Sequence, residues 1–318
     1  MVDRQGPHGL TAPPSLADWC KSLPLYPLPH HAVSRLVHRF TRIREPRIRE
    51  PFTRWFVRRF QVPMDEAVEP DPCAYPTFNA FFTRALRAEA RPMPTDPAAI
   101  CSPADGAVSA FGTIRGDSIL QAKGQDYSLT TLLGGMTDHA QAFQGGSFLT
   151  VYLSPRDYHR VHMPLRGTLR ETVHVPGRLF SVGRHTVRTV PGLFARNERL
   201  VCMFSTAIGP MAVILVGAIN VASIETVWAG EVTPPRGRRV TVRRFDTDAP
   251  ALDRGAELGR FNMGSTAIVL LPPGVAELAD TLQVDQAVRV RQAVGRTVET
   301  TAGETGPARA VQARPPTT

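Results

Sequence analysis

From residue 31 the apolar positions recur at helical spacing. Val33, Leu36, Val37, Phe40 and Ile43 share one side, and Arg35, Arg39 and Arg42 lie opposite. Pro46 and Pro51 are expected to break this pattern. After them Phe52, Trp55 and Phe56 form a second apolar face flanked by Arg54, Arg58 and Arg59. A third helix is expected from about Thr77, with Phe78, Phe81, Phe82 and Leu86 on one face and Pro92 beyond its end. The period then changes. Short β-like runs at 107–111, 147–153, 200–204, 211–216, 223–228, 239–243 and 266–271 are separated by turns bearing Gly and Pro. After about residue 296 the large apolar residues cease.

These patterns predict an α+β protein: a mostly-β main domain with N-terminal amphipathic helices. Three regions follow: a basic, Pro-punctuated helical region over 1–70, the main domain over 71–296, and a tail over 297–318 whose composition predicts disorder. There are no internal repeats.

Composition narrows the function only partly. The chain has 318 residues, 42% hydrophobic and 20% charged, which suffices for a sizeable core. Its net charge of +9 points to an acidic partner: nucleic acid, an anionic membrane or a phosphorylated substrate. Nearly all of that charge is arginine, with Lys21 and Lys123 as the lysines, so genome composition explains it equally well. Cys20, Cys73, Cys101 and Cys202 have neither zinc nor redox spacing and read as thiols in a reducing compartment. The first fifteen residues hold no apolar signal core. The most apolar stretch, 211–229, is interrupted by Asn220, Ser223 and Glu225 and reads as buried strands. Any membrane contact is therefore expected to be peripheral. The helices with Arg on one side and Phe or Trp on the other suit an anionic lipid surface. They would equally pack on the neighbouring domain with the arginines solvated.

Three elements could carry chemistry. The run 158–164 holds His159 and His162 beside an aromatic and two arginines. It lacks the HExxH pattern and a third ligand, so no metal is assigned. Acid–base work and a structural hydrogen-bonded pair both remain open. Asp105-Gly106 is a common turn, or a carboxylate able to orient a histidine. Gly264-Ser265 stands at the head of an apolar run, where a glycine carbonyl without a neighbouring side chain is easily approached by the next hydroxyl.

Together the segments TFNAFFTRALR (77–87), SPADG (102–106), QAKGQDYSL (121–129), LSPRDYHRVHMP (153–164), LFARNERL (193–200), SIETVWAG (223–230) and MGSTAIVLLPPG (263–274) resemble the bacterial, pyruvoyl-dependent phosphatidylserine decarboxylases. The resemblance runs in order from about Phe52 to about Gly274. Met263 stands where leucine is usual in that family, a volume-conserving exchange.

The resemblance implies self-cleavage between Gly264 and Ser265, with Asp105, His162 and Ser265 as the processing triad and His159 as the other active-site histidine. It implies a covalent pyruvoyl cofactor derived from Ser265, and two chains, 1–264 and 265–318, that stay together. The expected reaction converts phosphatidylserine to phosphatidylethanolamine and CO₂ through a Schiff base. The basic N-terminal segment then reads as a peripheral seat on the anionic membrane surface, at the cytoplasmic face of the cell membrane. Homo-oligomers stay open, and no nucleic acid or metal is expected. Other classes have weaker support. A serine hydrolase would want a GxSxG elbow at Ser265, and a pyridoxal phosphate enzyme would have to use Lys123 without a Gly-rich phosphate cradle.

Overall fold

The computed structural model describes residues 8–9, 12–219, 223–233 and 239–298. The expected tail falls almost wholly outside the described residues, and Thr297 still belongs to a strand, Ala293–Thr297.

Helix α1, Leu16–Ser22, opens on a capping box: the Asp18 N–H donates to Ser15 Oγ, and the Ser15 N–H donates to the Asp18 carboxylate. Helix α2 spans His30–Phe40. Its orientation departs from the apolar-face expectation. His30 and Ser34 are buried, whereas Leu36 and Phe40 are 69% and 37% exposed. Polar anchors explain this. His30 donates through Nε2 to the Leu25 carbonyl and accepts from the Leu179 N–H, and His38 bonds Glu231 at 2.8 Å.

The expected break at Pro46 is present, since α2 ends at Phe40, whereas the break expected at Pro51 is corrected. Pro46 is the first residue of α3, Pro46–Phe60, where its missing N–H costs nothing. Pro51 sits inside that helix on its exposed side, and the carbonyl it fails to serve belongs to exposed Arg47. Helix α4, Phe78–Phe82, is capped by the Thr77 hydroxyl and is shorter than expected, ending before Leu86. Helices α3 and α4 share a small core of Phe56, Val62, Phe78, Phe81 and Phe82, with Met263 packed against it.

The main core is built on a ten-stranded sheet whose pairings are all antiparallel. Its principal strands are β1 (Gly106–Thr113), β2 (Ser147–Leu153), β4 (Gly167–Val175), β5 (Arg199–Thr206), β6 (Gly209–Val216), β8 (Thr241–Arg244) and β10 (Ser265–Leu271). The order β1-β2-β10-β6-β5-β4-β8 puts β10 inside the sheet, between β2 and β6. Every residue of β10 is buried, as expected of a strand covered on both faces and paired on both edges. The apolar run that begins at Met211 is likewise a buried strand, and no described helix is long and apolar enough to cross a membrane.

A smaller sheet joins β3 (Arg160–His162), β9 (Glu257–Phe261) and β7 (Ile224–Thr226). It brings the histidine run beside the loop that leads into β10. Thus α+β describes the fold, with the strands in the body and the amphipathic helices at the N-terminus.

Candidate active site

Ser265 is the first residue of β10, opposite Leu153 of β2. The loop ahead of it is held from three directions. The Phe261 N–H donates to the His159 carbonyl at 2.9 Å. The Asn262 side chain donates to Ser223 Oγ at 2.6 Å and accepts from Asn79 Nδ2 at 2.9 Å. Between these anchors and β10 the backbone turns through Met263 at φ 103°, a conformation that L side chains rarely adopt. Gly264 follows. Strain of this kind costs about 1–3 kcal/mol and persists only where its surroundings impose it.

The polar atoms here are unusually bare. Ser265 Oγ, Thr266 Oγ1 and His159 Nε2 are all buried, and none has a hydrogen-bond partner among the described residues. Buried polar atoms are nearly always satisfied, so three bare ones on neighbouring side chains single this place out as the candidate for chemistry. His159 Nδ1–H donates to the Asp157 carbonyl at 2.8 Å, which leaves the lone pair on Nε2. The Phe82 ring covers the imidazole at 4.0 Å, and burial pushes its pKa down to about 3. A β-carbon built on Gly264 would lie 4.0 Å from Nε2 and 3.9 Å from the Leu153 carbonyl, so this neutral imidazole stands against the residue preceding Ser265.

His162 is neutral for a similar reason, with burial lowering its pKa. Its Nδ1–H donates to the Gly255 carbonyl at 2.8 Å, and Nε2 accepts from the Tyr158 hydroxyl at 3.1 Å. Asp105 faces elsewhere. It accepts a two-pronged contact from Arg91 and a 2.7 Å bond from the Val290 N–H. Arg91 also holds Glu66 at 2.8 Å. Among the described residues no hydrogen bond joins Asp105 to His162 or His162 to Ser265. The link runs through the backbone: Asp105 fixes the 102–106 loop, and its Pro103 carbonyl accepts the His162 N–H at 2.8 Å. Gly106 lets that loop meet β2, since a β-carbon there would lie 2.1 Å from the Tyr152 carbonyl.

A family model described as phosphatidylserine decarboxylase matches residues 78–296, and a second, described as PSD, matches residues 20–61. The chain belongs to the phosphatidylserine decarboxylase family. It is 60% identical over 260 residues to the phosphatidylserine decarboxylase proenzyme of Alkalilimnicola ehrlichii, covering 81% of this chain and 90% of that one. The proenzyme of Azotobacter vinelandii is 56% identical over 272 residues, covering 85% and 95% of the two chains. That of Bordetella pertussis is 56% identical over 268 residues, covering 83% and 90%.

Within this family member, the groups that sequence reasoning did not single out are those that hold the motif residues in place. Asn79 reaches the Gly264 loop from a distant part of the chain and Arg91 reaches Asp105 from outside its motif, while Tyr158 and Asn262 act from within four residues of His162 and Gly264. Tyr158 carried a signal as the aromatic beside the two histidines, and Asn79 stands inside the 77–87 segment.

Proposed function

We propose that this chain is a self-processing decarboxylase of phosphatidylserine, with Ser265 as the source of a covalent pyruvoyl group. The observation that carries the reading is the Ser265 hydroxyl: buried, without a partner, and placed directly after the strained Met263 and Gly264. In the proposed cleavage, Ser265 Oγ loses its proton and attacks the Gly264 carbonyl carbon. The C–N bond breaks and an ester replaces the peptide. Removal of the Ser265 α-proton then breaks the Cβ–O bond, and Gly264 leaves as a carboxylate. Water adds to the imine tautomer of the resulting dehydroalanine and ammonia leaves, so that residue 265 ends as a pyruvoyl ketone.

We assign the serine proton to His162, whose Nε2 exchanges the Tyr158 hydroxyl for that of Ser265. Asp105 positions His162 through the 102–106 loop. His159, with its bare Nε2 beside Gly264, is assigned to accept a proton from the substrate amine and return it at the reacting carbon. The unpartnered Thr266 hydroxyl and the His159 lone pair suit a newly formed carbonyl and a substrate amine. When present, a pyruvoyl group supplies the electron sink for the pair left behind as CO₂ departs.

The same reading gives the N-terminal helices a task. Leu16, Trp19, Leu23, Leu36, Phe40 and Trp55 are exposed, and Arg35, Arg39, Arg54, Arg58 and Arg59 lie among them. Apolar side chains framed by arginine fit a peripheral seat on an anionic leaflet, the cytoplasmic one. The processed chains 1–264 and 265–318 would remain a complex, because β10 is hydrogen-bonded to β2 and β6 on either side.

Intact-mass measurement tests the proposal. Two species divided between Gly264 and Ser265, the smaller with a blocked N-terminus, together with CO₂ release from phosphatidylserine vesicles, are expected. A single full-length mass in active protein would overturn it.

A further inference from the structure

Arg84 is the anomaly among the buried cations. It is 2% exposed, yet no carboxylate lies within ion-pair distance of it among the described residues. Its Nε has no partner, and its hydrogen bond from Nη2 to the Arg156 carbonyl is long, at 3.4 Å. The other deeply buried arginines are satisfied. Arg91 is held by Asp105 and Glu66, and Arg199 donates to the carbonyls of Leu132, Thr131, Ala195 and Asn197. A buried guanidinium left half-bonded is costly: Arg84 lies over the Phe81 ring at 5.7 Å and feels Asp105 and Glu66 only beyond ion-pair distance, so it keeps donors free for a counter-ion.

Arg84 also lines a cavity of about 520 Å³. Five arginines face this cavity against three carboxylates, Glu66, Asp105 and Asp157. Glu66 and Asp105 are taken by Arg91, with Arg289 also on Glu66 at 3.2 Å. Asp157 is turned to the N–H and hydroxyl of Ser154, each at 2.7 Å. Arg84 is therefore the buried charge left for a guest. The cavity adjoins the reacting residues: Tyr158 precedes His159, Ser154 follows the Leu153 that pairs with Ser265, and Phe82, two residues before Arg84, packs on His159.

We propose that this cavity receives the phosphodiester of the substrate headgroup, with Arg84 as its cationic anchor. The inference rests on the decarboxylase reading above and adds the substrate's second point of attachment. Phosphate is favoured over the serine carboxylate on chemical grounds. A guanidinium fork on the departing carboxylate would stabilise the ground state that decarboxylation must leave, whereas a grip on the phosphate is unchanged through the reaction.

The test uses the full, processed chain. Calorimetric titration with glycerophosphoethanolamine is expected to show saturable binding, weakened about tenfold or more by Arg84→Gln and partly restored by Arg84→Lys. With a short-chain phosphatidylserine, Arg84→Gln is expected to raise KM by a similar factor with kcat little changed, after intact mass has verified cleavage. If Arg84→Gln does not fold, the wild-type chain decides: competition by glycerophosphoethanolamine but not by free serine supports the proposal. Equal competition by inorganic phosphate would mean a site for free phosphate and overturn it, as would an unchanged KM or no glycerophosphoethanolamine binding. A wild-type chain that binds glycerophosphoethanolamine through Arg84 but releases no CO₂ would sink the decarboxylase reading while leaving the phosphate site standing.

Discussion

The ring of Phe82 lies 4.0 Å from the imidazole of His159, centroid to centroid, and closes one wall of the site. Behind it the aromatic contacts continue outward: Phe82 to Phe56 at 5.9 Å, Phe56 to Phe52 at 6.4 Å, and Phe52 to Trp55 at 5.6 Å, where Trp55 is half exposed. One small core therefore touches the histidine, Met263 and the surface assigned to the membrane.

Phe82→Ala should expose that histidine. Truncating a buried Phe costs about 3–5 kcal/mol of stability. The space admits water, so the burial that holds His159 down weakens and its pKa climbs from about 3 towards the ordinary 6.5. Titration of the His159 ring by NMR in folded protein checks this. A ring that stays neutral to the same low pH would mean Phe82 does not keep water out.

The depressed His159 pKa also sets a direction for acid sensitivity. With about 3 in the folded chain and 6.5 in the unfolded one, the unfolded state takes up the proton first. Its stabilisation is complete above pH 6.5 and is lost as pH falls from there towards 3, at about 1.4 kcal/mol per pH unit. Burial shifts His162 the same way. Urea melts of Ser265→Ala and Ser265→Ala/His159→Leu between pH 7 and 4.5 should differ in slope by about one proton. Parallel slopes would place the His159 pKa near its normal value.

Asp105 offers a test of chemistry against positioning. Its carboxylate and the Arg91 side chain are 9% and 7% exposed, so Asp105→Asn leaves a buried guanidinium leaning on Glu66 alone. A loss of about 3–5 kcal/mol is expected, together with slow self-cleavage. The double variant Asp105→Leu/Arg91→Met removes both charges and should regain most of the stability. If cleavage returns with stability, Asp105 acts by holding the 102–106 loop. If stability returns alone, the carboxylate takes part in the chemistry.

The legible parts of the fold are those whose burial is local to the strand. The run 266–271 reads as a continuous apolar strand because β10 is covered on both faces, and it is found as Ser265–Leu271. Strand β4, Gly167–Val175, escaped because Arg170, Glu171 and His174 spoil its alternation. Glu171 is buried against His139 and Arg244, and His174 against Glu198, all partners that no local window contains. The site divides the same way. Asp105, His159, His162 and Ser265 stand in short motifs. The bonds that orient them come from Arg91, Gly255, Asn79 and Ser223, which only the folded chain brings near.

The orientation of α2 gives the membrane reading its sharpest test. Because His30 and Ser34 face inward, Leu36 and Phe40 are left outside, and Phe40 is joined to Trp55 through Phe52, which it meets at 4.9 Å. Full insertion of a Leu- or Phe-sized side chain contributes about 1.5–3 kcal/mol. Leu36→Ala/Trp55→Ala should therefore weaken partitioning onto anionic vesicles about a hundredfold, while leaving self-cleavage intact, since neither side chain is buried. Arginine contacts are screened by salt and inserted side chains are not. Wild-type binding that survives high salt, and is lost in the double variant, would be the signature of insertion. Binding abolished by salt and indifferent to the two substitutions would reduce the face to a patch of positive charge.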